Sequence, residues 1–576
     1  MSVKKVLAHT LIASAVLASP LVSTTTWNVE AKAVEKQTIQ KTNWSVNGTV
    51  MPISATTISG GNWIVSAPEL TKLLGATYSY DKKAKTYKLA KKGAVVQVKA
   101  NDKVAVINGK KVTMNVAPKM VNNTLYVPAV AIVQAFGGQL QTNASPILLS
   151  TNGKVQTKKV TLSVDGQATP FDAIAIGQKT LYSLSDMAKA FGVAMNVDGK
   201  TKTITLSGKG KKASFLLHQQ GSSVVKVNGK FYADLRGMVT KLGGEIEHGN
   251  PLFIATNGFL KGTNFNPQWL SNEYVIVTNE NDEPVSKIVH IPSRKVIATL
   301  ESGDLALSPD KKKGAYVNDN GQLFIVDLAT KKAIPVGTDD DVKVELTWSP
   351  DSSIIYFFKG NNSDVIASIN VQTGEVKKIV DDKVKYKSDL RLSNDGTKLM
   401  YTAAKEAKAN YTDDSKTEID SIDTTGTEPQ LYVVDLTTAD KKPTAVTIDT
   451  NNKTFSFFAG DAIVYLSANP DDEDALPVLK AIVSGQEQNM ATTMNITYVA
   501  TKGSIVFVLV EEKDGSYSIY RATAPQAQWT RIFNTKTTIT AIAPSPFGNE
   551  IAVTIPTDEG EKIAIVMNNK LIDITK

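Results

Sequence analysis

Two patterns of apolar and polar positions divide the chain. In the first, four short stretches carry apolar residues at helical spacing. They run from Ile64 to Ala76, Tyr126 to Gly138, Tyr182 to Val193 and Tyr232 to Gly244. Each predicts one amphipathic helix closed by glycine, the residue best suited to a left-handed C-cap. Ser66 and Glu69 also have the spacing of a capping box. Asn47-Gly48, Asn108-Gly109, Asp165-Gly166 and Asn228-Gly229 precede these helices amid β-branched and aromatic residues, and such dipeptides turn two-residue hairpins. Strict alternation follows the first helix at Tyr78-Ser79-Tyr80 and Thr86-Tyr87-Lys88-Leu89, around a turn at Asp81 to Lys85. The repeated module is thus hairpin, helix, hairpin. Its helix can bury its apolar stripe only on a sheet, so the expectation is two small α+β domains, each a pair of modules, at 42–151 and 157–256.

The elements Val106-Ile107-Asn108-Gly109-Lys110-Lys111-Val112, then Leu125-Tyr126-Val127-Pro128, then a helix ending Ala135-Phe136-Gly137-Gly138 resemble the copper amine oxidase N-terminal-like, or stalk, domain. That resemblance spans about 215 residues and implies an extracellular, wall-associated accessory module of the kind common in secreted Gram-positive bacterial proteins. It implies no oxidase chemistry, since copper and quinone belong to a separate catalytic domain in those enzymes.

The second pattern recurs at about 40 to 45 residues, the period of a propeller blade. Ser308-Pro309-Asp310, Ser349-Pro350-Asp351 and Ser393-Asn394-Asp395 each lead into an apolar strand, and a second strand pair follows, as at Leu323 to Leu328 and Leu431 to Leu436. Looser copies begin near Trp269, Phe455, Ile496 and Ile539. The Ser-Pro-Asp turns resemble TolB-like propeller repeats. The expectation is an all-β propeller over 265–576, with seven blades, or six if Trp269 to Leu300 only connects, and a polar insertion at Lys405 to Glu428.

Composition adds a compartment and a charge asymmetry. Residues 1–33 combine Lys4-Lys5, an apolar run from Val6 to Val22 and Ala31-Lys32-Ala33, the parts of a signal peptide cleaved after Ala33. No later stretch is long and apolar enough to span a bilayer. With no cysteine among 576 residues there is no disulfide framework, thiolate nucleophile or cysteine-ligated zinc. The formal charge of +8 hides a split: 34–258 carries +17 and 259–576 carries −11. Six lysines, Lys82, Lys83, Lys85, Lys88, Lys91 and Lys92, crowd one hairpin, with Lys209, Lys211 and Lys212 at a matching place in the second domain. They are the candidate polyanion-binding residues. Lysine on exposed strands also blocks edge aggregation without binding anything.

Catalytic signatures are missing. His218, His248 and His290 are not at copper-ligand spacing, and Asn410-Tyr411-Thr412-Asp413 departs from a quinone-forming setting. No nucleophile elbow or phosphate loop occurs in a suitable context. The acidic runs Asp339-Asp340-Asp341 and Asp471-Asp472-Glu473-Asp474 do not match the spaced oxygens of a calcium loop and read as solvated propeller loops. No catalytic residue, metal or cofactor is assigned.

The sequence-based expectation is therefore a secreted, non-catalytic envelope protein. Its basic domains dock on anionic wall polymer or another anionic envelope surface, and its propeller presents a face to a protein or glycan. No nucleic-acid partner and no transmembrane segment after signal removal are expected. The rivals are a propeller hydrolase or lyase acting on an extracellular glycan or peptide, and a structural surface-layer component. The two halves are expected to fold independently about Asn257 to Asn264.

Overall fold

The computed structural model describes residues 39–576 except 48, 59, 143–145, 154, 177–178, 218–223, 282, 413, 425 and 473, so the expected signal segment lies outside the described residues. The chain forms two compact units, one ending at Thr142 with Leu149–Gly153, the other comprising Asn143–Leu148 and Lys154–Lys576.

In the first unit a seven-stranded sheet is built around Gln40–Val46, Thr49–Ile58 and Asn62–Ser66. Two helices pack on strands of this domain, α1 (Ala67–Leu74) burying Leu70 and Leu74, and α2 (Ala129–Ala135) burying Ile132 and Val133. A five-stranded meander of Thr77–Asp81, Thr86–Lys91, Ala94–Val98, Val104–Ile107 and Lys110–Thr113 completes the domain. The expected capping box is half formed. Ser66 Oγ accepts from Glu69 N at 3.4 Å, but the Glu69 carboxylate accepts from Ser54 N and Ser54 Oγ, both at 2.7 Å, because the neighbouring strand offers two donors.

The second domain repeats the plan within the other unit. A seven-stranded sheet is centred on Lys158–Val164, Gln167–Ile176 and Lys179–Ser183, with α3 (Leu184–Phe191) and α4 (Leu235–Lys241). Its meander has three strands, Ala194–Asp198, Thr203–Gly208 and Lys211–Leu216. Phe171, Leu184, Met187, Phe191, Met238 and Val239 form its core. Gly75, Gly137, Gly192 and Gly243 all take positive φ at or just beyond the helix ends, as their placement requires.

One hairpin assignment is corrected. Asn228-Gly229 turns a hairpin of the main sheet, but Asn108-Gly109 joins the last two strands of the first meander. The hairpin leading to α2 turns instead at Asn122-Asn123, with φ of 49° and 60°. Asparagine tolerates this left-handed backbone, so the turn forms without glycine.

Residues 263–573 form seven antiparallel four-stranded sheets, blades 1 to 7, starting at 263, 306, 343, 388, 452, 496 and 541. Trp269 to Leu300 is thus part of a true blade, and the count is seven. Blade 1 closes on blade 7 through Val275, Val277, Ile563 and Ile565, and Trp269 Nε1 donates to Ala543 O at 2.8 Å. Trp348 Nε1 repeats this with Ala306 O, one blade to the next, at 2.9 Å. The Ser-Pro-Asp motif is a structural turn. Ser349 Oγ donates to Asp351 Oδ1 at 2.6 Å while accepting from Ile354 N at 2.9 Å, and Ser393 with Asp395 and Lys398 N repeats the arrangement. The bond from Ser393, with those from Thr397, holds the Asp395 carboxyl down at about 2.

In an antiparallel blade, the turn between the two middle strands and the connector to the next blade lie at one end. The other two turns lie at the opposite end. Buried lysines mark the first end. Lys343 Nζ, fully enclosed, donates to Gly321 O, Asp339 O and Asp341 O at 2.7 to 2.9 Å. Lys387 likewise holds Asp364 O, Val384 O and Asp382, and Lys453 holds Asp449. Each satisfies carbonyls that converge beneath the loops.

Around the expected boundary at 257–264 the second domain and the propeller share an interface. Arg294, in a turn of blade 1, stacks 3.9 Å from the Phe253 ring, pairs with Glu247 at 3.6 Å and donates to Asp573 O. Lys295 pairs with Asp165 at 2.7 Å. Lys576 pairs with Glu245 at 2.9 Å and lies 4.2 Å from the Phe259 ring. A parallel bridge joins Leu260 to Thr575.

Candidate functional site

The six candidate lysines of the first domain lie on its meander. Asp81 Oδ1 accepts from Lys83 N and Ala84 N at 2.8 and 3.1 Å, and Lys85 takes φ 55°, so the turn drives Lys82, Lys83 and Lys85 into solvent. Lys91 and Lys92 sit at the far end of strand Thr86–Lys91, about 17 Å away, with Lys88 exposed between them and Lys91 half-buried. The lysines therefore spread along one strand rather than crowding its tip. Folding adds exposed Lys99 and Lys103 at the first end and Lys110 and Lys111 at the second. Sequence reasoning missed these four, although their place beside turn residues was visible. Residues 39–153 hold 13 lysines, no arginine and three acids. Among the described residues, the one ion pair there is Lys41 with Glu69 at 4.0 Å.

The matching lysines of the second domain are partly engaged. Lys211 Nζ donates to Leu242 O at 3.1 Å and Thr256 O at 2.9 Å, and sits 5.7 Å from the Phe191 ring. Half-buried, it holds the Leu242 carbonyl at the end of α4 and the Thr256 carbonyl just beyond strand Phe253–Ala255, so unlike Lys82 and Lys83 it has a structural use of its own. Lys209 lies over Gly192, the C-cap of α3, and Lys212 is exposed. The true counterparts of Lys83 and Lys85 are Lys200 and Lys202. There Asp198 accepts from Lys200 N and Thr201 N at 2.8 and 3.2 Å, and Lys202 takes φ 52°. The sequence Asp-Gly-Lys-Thr-Lys beside Asp-Lys-Lys-Ala-Lys was the signal.

A cleft of about 390 Å³ in the first domain is lined by Trp63, Val112, Met114, Val130, Asn62 and Gln134, among others. No sequence motif announced it, because its walls come from α2, a hairpin and a sheet strand.

The propeller's inner strands carry bulges at which Asn266, Glu345, Asp389 and Phe455 take positive φ. On the inner strands of blades 3 and 4 two carboxylates are engaged by neighbouring groups. Glu345 Oε2 accepts from Leu390 N at 2.7 Å, while Asp389 pairs with Arg391, which stacks 5.3 Å from the Phe457 ring. The Glu345 bond ties the inner strands of blades 3 and 4, and the Arg391 stack ties blade 4 to blade 5. Asp339 and Asp341 both pair with Lys359, so this acidic run belongs to the loop framework. Among the described residues no three potential metal ligands cluster. His290 is half-buried, bonded to Ser293 Oγ at 2.7 Å, and His248 is exposed; His218 lies outside the described residues. No described helix is long and apolar enough to cross a membrane.

Residues 45–147 match the copper amine oxidase N-terminal domain family. Among solved structures, the chain is similar to an oligogalacturonate lyase in complex with manganese, with 12% identity, 53% of this chain and 88% of that one covered, and a TM-score of 0.39. For an oligogalacturonate lyase of Vibrio parahaemolyticus the figures are 14%, 55%, 86% and 0.38. For TolB of Acinetobacter baumannii they are 14%, 52%, 75% and 0.31. Comparison with curated proteins found no match.

Proposed function

We propose that this protein is an exported, non-catalytic envelope-binding protein whose first domain holds an anionic wall polymer through its lysine-rich meander. The observation that carries the reading is the state of those lysines. In a domain of net charge +10, the lysines at both meander ends, half-buried Lys91 apart, are exposed, and none has an ion-pair partner among the described residues. Exposed lysines without carboxylates form a delocalised positive field, suited to a flexible polyphosphate or polyuronate rather than to a single ligand. The segment of residues 1–33 supports export. The engagement of Glu345 with a backbone amide and of Asp389 with Arg391 favours a binding role over hydrolysis or lysis.

Binding of this kind is screened. Raising salt from 50 mM to about 500 mM shortens the screening length from about 14 Å to about 4 Å and should release the protein from isolated wall. Replacing Lys82, Lys83, Lys85, Lys91 and Lys92 with glutamine should weaken retention at low salt while leaving the melting temperature unchanged. Retention indifferent to both salt and these replacements would refute the reading.

A further inference from the structure

The two faces of the propeller differ in charge and in apolar exposure. In blades 2 to 5, the middle turns and the connectors between blades occupy 317–323, 335–343, 359–365, 381–388, 403–430, 445–453 and 468–478. These segments contain 19 acidic and nine basic residues, a net of −10. The turns at the opposite end of the same blades, 307–313, 327–333, 348–354, 370–376, 392–398, 435–444, 459–462 and 483–486, contain eight of each, a net of zero. In the loops of these four blades the net negative charge therefore belongs to one face.

That face also exposes large apolar side chains. Tyr386 is 67% exposed, Ile448 91%, Ile419 54% and Ile422 60%, with Tyr411 and Leu476 also open. All six lie in the acidic segments. Side chains of this size in water on neighbouring loops mark a contact surface. The loops are held from beneath by the enclosed ammonium groups of Lys343, Lys387 and Lys453, so binding need not first order them.

The insertion in blade 4 supplies a strand template. Lys408–Tyr411 and Ile419–Asp423 pair with each other in a two-stranded ribbon, and among the described residues no third strand joins its outer edges. An extended chain can add to such an edge by main-chain hydrogen bonds. Ile419 and Ile422 stand beside Glu418, Asp420 and Asp423. The side chains that suit this surface are apolar ones flanked by lysine or arginine. A polyanion, whether nucleic acid, polyphosphate or uronate, would be repelled by it.

We propose that this face docks an extended, basic polypeptide segment in which cationic and apolar side chains alternate, with the blade 4 ribbon as its edge-strand template. The inference deepens the view of the propeller as a binding module and does not depend on wall retention, which is read separately by the lysine replacements.

The test titrates the full chain, lacking only residues 1–33, with three synthetic 12-residue peptides at about 150 mM salt. The peptides alternate Lys with Val, Lys with Ser, and Glu with Val. We expect the Lys/Val peptide to bind most tightly, the Lys/Ser peptide about tenfold more weakly and the Glu/Val peptide not at all. Ile419→Ser with Ile422→Ser should weaken the Lys/Val peptide about tenfold without moving the melting temperature, since both side chains are exposed on the ribbon. Phe547→Ser, in a turn of blade 7 at the opposite end, should leave it unchanged. Equal binding of the Lys/Val and Lys/Ser peptides, no effect of the isoleucine replacements, or an equal effect of Phe547→Ser would each overturn the proposal.

Discussion

The two α+β domains share a plan but treat charge differently. The first carries 13 lysines against three acids over 39–153, and all but the half-buried Lys91 and Lys119 stay in solvent. The second carries 13 basic residues against seven acids over 157–256 and spends both signs on structure. Asp165, Glu245 and Glu247 take cations from the propeller, Asp172 takes Lys159 and Lys230, and Lys211 ends a helix. A repeated fold thus supplies one domain with a free surface and another that serves as a mount for the propeller. Charge count alone does not separate these roles; the partner of each charge does.

The strongest way to break the comparison is to remove the mount. Arg294→Ala deletes a guanidinium that is 11% exposed, leaving Glu247 without its partner and Phe253 without its stacking group. We expect a loss of about 3 kcal/mol of coupling, seen in calorimetry of the full chain as the second domain melting apart from the propeller while the first domain's transition stays put. A single unchanged transition would show the interface to be incidental.

A glycine pair sharpens the same contrast. Gly166, in a main-sheet hairpin, and Gly109, in a meander hairpin, sit in two-residue turns of the same geometry with φ of 83° and 82°, but a Cβ on Gly166 would meet Pro292 O at 2.4 Å whereas one on Gly109 meets nothing within 4 Å. Gly109→Ala should cost about 1 kcal/mol of backbone strain. Gly166→Ala should cost about twice that, by thermal melting, because the interface must also open.

Lys211→Met tests the engaged lysine against the free ones. It strips the partner from Leu242 O and Thr256 O while keeping the aliphatic stem, and should cost the second domain about 1 to 2 kcal/mol in urea melts. Lys92→Met in the first domain should change stability by less than about 0.5 kcal/mol.

The smallest effect is in acid. Hydrogen bonds from Lys159 and then Lys230 lower the Asp172 carboxyl below its ordinary value. A lowered carboxylate binds fewer protons folded than unfolded, so its contribution is complete above about pH 4 and disappears as pH falls through the native value. Asp172→Asn should remove about 1 kcal/mol at neutral pH, a figure kept small because both lysines are more than half exposed. It should also flatten the second domain's stability between about pH 5 and 2. A parallel shift without change of slope would contradict the ion-pair origin.

Much of the architecture was legible locally. The helices end where Gly75, Gly137, Gly192 and Gly243 stand, because an αL cap is a property of one residue. The blade period appeared because Ser393, Asp395 and Lys398 close their turn within six residues. The solvent exposure of Lys82, Lys83 and Lys85 followed from the Asp81 turn. By contrast, Asn108-Gly109 was placed in the wrong sheet, since a hairpin's turn chemistry does not say which neighbour its outer strand will pair with.

The sequence by itself determined the repeats, the blade period, the charge split and the turns that expose lysine, all of which depend on residues within a few positions of one another. Only the tertiary structure decided how charges are used. It paired Arg294 with Glu247, Lys576 with Glu245 and Lys211 with the end of α4, partners separated by 31 to 331 positions. It also gathered seven separate loops into one acidic, apolar face. Electrostatic attraction and burial act through space over a few ångströms, and along the chain those groups lie tens to hundreds of residues apart.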